Sequence, residues 1–173
     1  MITSYEELLD RLVTEQVKFA LAGGLAVCLN GFVRTTDDVD ILIDNSPDNI
    51  ARLVRCLADF GEGNGKDLTP QDLTDEPGAV RIQEDFSLDL FVRMNGKTLA
   101  DLSSWIGYYP LRSGNQIPFL QAEALIQTKT GSSREKDRAD IGALIDITRA
   151  KNANNNQLSD FKLDSVRSPS DEK

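Results

Sequence analysis

Between Ser4 and Gln16 the apolar residues Leu8, Leu9, Leu12 and Val13 recur at the spacing of one helix face, and Ser4 followed by Glu7 supplies a capping box. Phe19-Ala20-Leu21-Ala22 is an unbroken apolar run stopped by Gly23-Gly24, which predicts a short buried strand. A short helix over Leu25–Asn30 ends at Gly31. A second strand, Val39–Ile43, closes at Asp44-Asn45-Ser46-Pro47, where the proline also suits the first turn of a helix. That helix runs from Asn49 to Phe60, with Ile50, Leu53, Val54 and Leu57 at helical spacing.

The pattern then breaks. Gly61 to Gly78 is polar, carries scattered Gly, Pro and Asp, and reads as a mobile loop. Ala79–Gln83 and Ser87–Arg93 predict a hairpin around Glu84-Asp85. A short helix is expected over Thr98–Ser104, then an irregular stretch through Trp105, Tyr108 and Tyr109. Two helices close the pattern: Ala122–Thr130, ended by Gly131, and Glu135 to about Ala150, with Ile141, Leu144, Ile145 and Thr148 along one face. Beyond Lys151 the residues are mostly Asn, Ser, Asp and Lys, which bury too little apolar area to order themselves. The expectation is one α/β (α+β) domain over 1–150, a small mixed sheet flanked by helices, and a disordered tail over 151–173.

Composition removes several chemistries. The 173 residues make one core of ordinary size. They contain no run of about eighteen apolar residues for a membrane span, and Met1–Glu7, without a basic and an apolar segment, leads us to expect no secretory signal. Cys28 and Cys56 sit in helix-like apolar patterns and read as core thiols of a reducing, cytoplasmic protein. With no histidine, a His-based triad, a His-ligated zinc and a His general base are excluded. Any metal must be held by carboxylates and water, which favours Mg²⁺ or Mn²⁺. A net charge of −9 argues against a surface that coats nucleic acid.

The candidate chemistry begins at Gly23-Gly24 and, after thirteen intervening residues, Asp38-Val39-Asp40. Alternation along a strand puts Asp38 and Asp40 on one face while Val39, Ile41 and Ile43 pack behind; Asp37 falls on the opposite face. Two acids on an apolar strand are costly unless a cation neutralises them. Asp89 is a third lone acid, within Leu88-Asp89-Leu90-Phe91-Val92. If that strand lies beside the Asp38 strand, three carboxylates converge. Gly23 and Gly24 permit close approach of a ligand, and N–H groups at the following helix start suit phosphate oxygens. Arg34 and Thr36 add a guanidinium fork and a hydroxyl.

Gly-Gly, a spacer, Asp-hydrophobic-Asp and a later lone Asp on a strand resemble the polymerase-β-type nucleotidyltransferase superfamily. The fuller run Gly23-Gly24-Leu25-Ala26…Gly31…Arg34-Thr35-Thr36-Asp37-Asp38-Val39-Asp40 is similar to its small bacterial members, the minimal and abortive-infection toxin-type nucleotidyltransferases. Lys129, Arg134, Lys136, Asp137 and Asp140 fit the Lys…Arg-x-Lys-Asp-x-x-Asp pattern of that group's C-terminal helices. The resemblance implies a nucleotidyltransferase fold and transfer of a nucleoside monophosphate from a nucleoside triphosphate, with release of pyrophosphate. It implies Mg²⁺ (or Mn²⁺) held by Asp38, Asp40 and Asp89, with Asp89 as general base. Gly23, Gly24, Arg34, Thr36, Lys129 and Lys136 would bind the nucleotide, supported by Asp137 and Asp140. The default donor is ATP. A protein hydroxyl, an RNA 3′ end or a small molecule such as an aminoglycoside could accept, and a cognate toxin or antitoxin is a possible partner.

Plainer readings stand beside these. Asp89 could be one charge on a solvated strand face, Arg34 could pair with Asp37 or Asp38, and Lys136 and Asp140 are spaced for a simple helix ion pair. Asp137 lies on the apolar stripe of its helix and needs a partner, Arg34 or Lys129. Trp105, Tyr108 and Tyr109 suit core packing or stacking on a base. The alternative function is nucleotide binding without catalysis, as the regulatory component of a toxin–antitoxin pair.

Overall fold

The computed structural model describes residues 4–164. Six strands form one mixed sheet: β1 (Phe19–Leu21), β2 (Asp38–Ile43), β3 (Val80–Gln83), β4 (Ser87–Phe91), β5 (Ile106–Pro110) and β6 (Gln116–Leu120) lie in the order β3-β4-β2-β1-β6-β5. β2 runs antiparallel to β1 and parallel to β4, and β1 meets β6 in parallel at Leu21–Phe119. Among the described residues five α-helices accompany it: α1 (Ser4–Thr14), α2 (Gly23–Leu29), α3 (Pro47–Leu57), α4 (Ala122–Lys129) and α5 (Glu135–Asp164).

Strand alternation divides the interior into two cores. Phe19, Leu21, Val39, Ile41, Ile43, Leu88 and Leu90 face α1 and α3, meeting Leu8, Leu12, Leu53 and Leu57. Ala20, Leu42 and Leu120 face the opposite layer, where Val27, Leu125 and Leu144 of α2, α4 and α5 cover them. Asp38 and Asp40 share the parity of Leu42, and Asp89 that of Phe91. The acids therefore occupy the end of this second face that the helices leave open.

Two segments depart from the sequence reading. Gly61–Gly78 contains 3₁₀ turns at Asn64–Asp67 and Pro70–Asp72, and Leu68 and Leu73 are buried in the first core. The buried carboxylate of Glu84 accepts from the backbone N–H groups of Glu62 and Asn64 at 2.7 and 3.2 Å, which pins the segment to the β3–β4 turn. Two leucines and one acid anchor what its composition marks as loop.

The stretch read as irregular is the hairpin β5–β6, with Tyr108 opposite Pro118. Gly107, Pro110 and Pro118 break its apolar alternation. They are tolerated because β5 is an edge strand and β6 meets β1 at one residue pair. Of the helix expected over Thr98–Ser104 only a 3₁₀ turn at Ser103–Trp105 forms, because the Asp101 carboxylate accepts from the Thr98 N–H and hydroxyl instead. Helix α5 continues past Lys151 to Asp164, since extending a helix needs no new nucleus. Of the tail expected over 151–173, residues 165–173 lie outside the described residues.

Candidate active site

The parallel pairing of β2 with β4 sets Asp40 directly across from Asp89, with Asp38 across from Ser87. Antiparallel pairing of β3 with β4 places Arg81 opposite Asp89. Arg81, Asp89 and Asp40 thus form one row over three strands. The row faces a cavity of about 520 Å³.

Strand β1 ends and α2 begins at this row. Ala22 N–H donates to the Asp40 carbonyl at 2.8 Å, and the chain turns into α2 at Gly23 with φ +54°. A Cβ on Gly23 would lie 1.7 Å from Asp40 Oδ2, and one on Gly24 would lie 2.3 Å from Thr36 Oγ1. The glycine pair is the first turn of α2, not a loop ahead of it, and the space a side chain would fill is held by Asp40 and Thr36.

On the far wall, five charged residues interlock. Arg34 Nε and Nη2 donate to Asp140 Oδ1 and Oδ2 at 2.7 and 2.9 Å, and Asp140 is fully buried. Lys129 Nζ bridges Asp137 Oδ1 at 2.8 Å and Asp140 Oδ2 at 2.9 Å. Ser132 Oγ and Arg134 Nε also donate to Asp137, at 2.6 and 2.7 Å. Burial alone would raise both carboxyls. The donors outweigh it, holding Asp137 down at about 2 and Asp140 below the usual carboxylate range.

Arg34 therefore pairs with Asp140 rather than with Asp37 or Asp38. Among the described residues no Lys136–Asp140 helix pair forms: Asp140 is fully buried against Arg34 and Lys129, whereas Lys136 is exposed. Of the two partners open to Asp137, the structure gives Lys129.

Gly23, Gly24, Arg34, Thr36, Asp38 and Asp40 line the cavity, as do Asp89, Lys129, Lys136 and Asp137; Asp140 lies beneath it. Lys136 is exposed at the rim, and among the described residues it is in no ion pair. Trp105, Tyr108 and Tyr109 do not reach the cavity: Trp105 packs against the second core, and Tyr108 and Tyr109 are exposed on the sheet edge. Phe91 and Met94 supply the apolar lining.

Sequence reasoning missed two cationic residues of this cavity, Arg81 and Arg93. Arg81 donates to Asp89 in a fork, Nε to Oδ1 and Nη2 to Oδ2, both at 2.7 Å, and stands 3.9 Å from Asp38 Oδ1. Arg93 pairs with Asp75 at 3.2 Å across the mouth of the pinned loop. The available signal for Arg81 was parity: in Val80-Arg81-Ile82 it alternates with core residues as Asp89 does in the next strand.

The sequence matches no family model and no curated protein. Solved structures do match. The lincosamide antibiotic adenylyltransferase LnuA, in a lincomycin-bound crystal structure, aligns over 83% of this chain and 96% of its own, with TM-score 0.54 and 21% identity. The chain has the nucleotidyltransferase fold. A candidate nucleotidyltransferase from Thermotoga maritima, TM1012, aligns over 91% of both chains with TM-score 0.52 and 16% identity. An antigenic nucleotidyltransferase-like protein from Paracoccidioides brasiliensis aligns over 82% of this chain and 73% of its own, with TM-score 0.51 and 18% identity. Among the described residues no helix is long and apolar enough to cross a membrane.

Within this nucleotidyltransferase fold the donors for a cation are all carboxylate oxygens, the set a hard divalent ion takes. Burial, and then the negative charges of Asp89 and Asp38, push the Asp40 carboxyl up; the distant Lys129 and the Gly24 backbone oppose this only in part. A crowded acid of that kind calls for a positive charge, so Asp38 and Asp40 fit Mg²⁺ or Mn²⁺. Among the described residues, however, no group of three or more His, Cys, Asp or Glu side chains is placed to hold an ion. The third acid, Asp89, is turned to Arg81.

Proposed function

We propose that the protein is a metal-dependent nucleotidyltransferase that moves a nucleoside monophosphate from a nucleoside triphosphate, ATP by default, to an acceptor and releases pyrophosphate. The observation that carries this is the facing of Asp40 and Asp89 across β2 and β4, beside the glycine turn and within one cavity. Asp38 and Asp40, joined by Asp89, are the residues to hold Mg²⁺ or Mn²⁺, which when bound lowers the acceptor's pKa and offsets charge on the leaving pyrophosphate.

The chain's own groups do the rest. Gly23 and Gly24 let the polyphosphate approach the backbone. Thr36 offers a hydroxyl and Lys136 an uncommitted ammonium at the rim. Lys129 and Arg34 are fixed by Asp137 and Asp140, so their positive field is in place before the substrate arrives. The acceptor oxygen attacks the α-phosphorus and the bond to the bridging oxygen of the β-phosphate breaks. Asp89 takes the acceptor's proton.

A small-molecule hydroxyl is the favoured acceptor. The net charge of −9 disfavours RNA. Likeness to LnuA, a lincosamide antibiotic adenylyltransferase bound to lincomycin, supports the same class. A toxin or antitoxin partner belongs to this reading only through the resemblance; a cytoplasmic location rests on the two core thiols, and the boundary between a domain over 1–150 and a tail rests on composition, with α5 carrying helix past it to Asp164. A second reading, nucleotide binding without transfer, draws on the engagement of Asp89 by Arg81.

Incubation with α-labelled ATP, Mg²⁺ and a panel of hydroxylated antibiotics or a cell lysate separates the two. Label on an acceptor with wild type, and none with the Asp38→Asn/Asp40→Asn double variant, supports transfer. A melting shift with Mg-ATP but no label on any acceptor favours binding alone. No shift with any Mg-NTP rejects both, because a ligand that binds only the native state must stabilise it.

A further inference from the structure

Arg81 presents a cation to two of the three site acids, forked onto Asp89 and 3.9 Å from Asp38. The two partners differ in freedom. Asp89 is buried in the middle of β4, between two paired strands. Arg81 stands on the edge strand β3, and its side chain is 57% exposed. The acid is fixed and the guanidinium can swing into the cavity without disturbing either core. A guanidinium fork that fits a carboxylate also fits a phosphate, and Arg81 lines the same cavity as the glycine pair and Lys136.

We propose that Arg81 is an exchangeable latch on the third carboxylate: its fork on Asp89 keeps the cation site incomplete, and the polyphosphate of an arriving nucleotide takes the fork and frees Asp89 to join Asp38 and Asp40. This deepens the nucleotidyl-transfer reading and rests on it. The exchange conserves charge at the site. Moving Arg81 away exposes three neighbouring carboxylates, which is unfavourable until a divalent cation enters. Nucleotide and metal therefore favour one another, and linkage makes the coupling reciprocal. Arg81 acts as a positioning residue that orders the arrival of ligands, so a half-loaded site does not hold a metal without a donor to activate.

A plain cross-strand ion pair is the competing explanation, and it makes different predictions. The test measures Mn²⁺ binding by electron paramagnetic resonance without nucleotide, and binding of a non-hydrolysable ATP analogue in EDTA, for the full chain and for Arg81→Gln and Arg81→Lys. The latch requires opposite movements. In Arg81→Gln, Mn²⁺ affinity rises by about tenfold, the scale of one hydrogen bond to a charged group, and metal-free analogue affinity falls by a similar factor. Arg81→Lys, which keeps the charge without the fork, lies between on both measures, and thermal melting checks that each variant is folded. Equal Mn²⁺ affinity in wild type and both folded variants overturns the latch alone. Wild type that binds neither Mn²⁺ nor the analogue under any condition overturns the nucleotidyl-transfer reading with it.

Discussion

Arg34 and Asp140, 106 residues apart, meet in a two-bond fork at 2.7 and 2.9 Å that ties the loop after α2 to α5, with Asp140 fully buried. Lys129 shares the same carboxylate. Removing one member leaves uncompensated charge inside, so Asp140→Ala is expected to cost about 3–5 kcal/mol. Urea unfolding checks this as a fall in midpoint at unchanged m-value. Lys136→Ala, which deletes an exposed side chain outside the network, should move the midpoint by less than about 0.5 kcal/mol. Equal effects of the two would refute the network.

Asp40 carries the opposite signature. Its folded carboxyl is raised above its ordinary 3.8 by burial and by Asp89 and Asp38. The protonated form is therefore favoured in the fold, and stability present below the unfolded value is lost as pH rises through the raised value. Without divalent metal, Asp40→Asn should melt higher than wild type at pH 7, with the gap closing as pH falls towards 4. The same variant should lose at least about a hundredfold in transfer rate. A site that gains stability while losing function follows from crowding acids for a cation. A lower melting temperature for Asp40→Asn at pH 7 would contradict the crowding.

Gly23→Ala tests the turn. Gly23 sits at φ +54°, and an added Cβ would overlap Asp40 Oδ2 at 1.7 Å. Strain of a β-carbon in that region costs about 1 kcal/mol, and displacing Asp40 adds to it. Gly63→Ala is the control: it has φ +78° but nothing within 4 Å of its Cβ. Both variants should melt lower, and only Gly23→Ala should also lose the Mg-ATP melting shift. Loss of the shift in Gly63→Ala as well would place the effect outside the site.

What the sequence disclosed follows from which interactions are periodic. Asp38, Asp40 and Asp89 stand out because they are acids in otherwise apolar strands, and strand parity alone puts them on the face away from Ile41 and Leu90. Their meeting needed the β2–β4 pairing, which no local pattern encodes. Asp137 showed itself as an acid on an apolar stripe, whereas its choice of Lys129 depended on how α4 packs against α5. The β5–β6 hairpin was hidden by two prolines and a glycine whose cost depends on position in the sheet. Arg81 was hidden for the converse reason: an arginine on a solvent-facing strand position is ordinary until the acid opposite it is known.

The Asp137 network gives the protein an acid limit. Its carboxyl is held at about 2, against an ordinary 3.8, by Lys129, Ser132 and Arg134, which together overcome burial. Because the folded value is the lower one, the stabilisation is fully present above the unfolded value and drains away as pH falls from about 4 to about 2. Asp140 is lowered in the same direction by Arg34 and Lys129, so its stabilisation is likewise lost on acidification. Wild type should therefore lose melting temperature steeply across pH 4 to 2. Asp137→Asn, already without the charge, should start lower at pH 7 and show a shallower slope over that window. Parallel wild-type and Asp137→Asn melting curves against pH would show that this carboxylate is not what fails in acid.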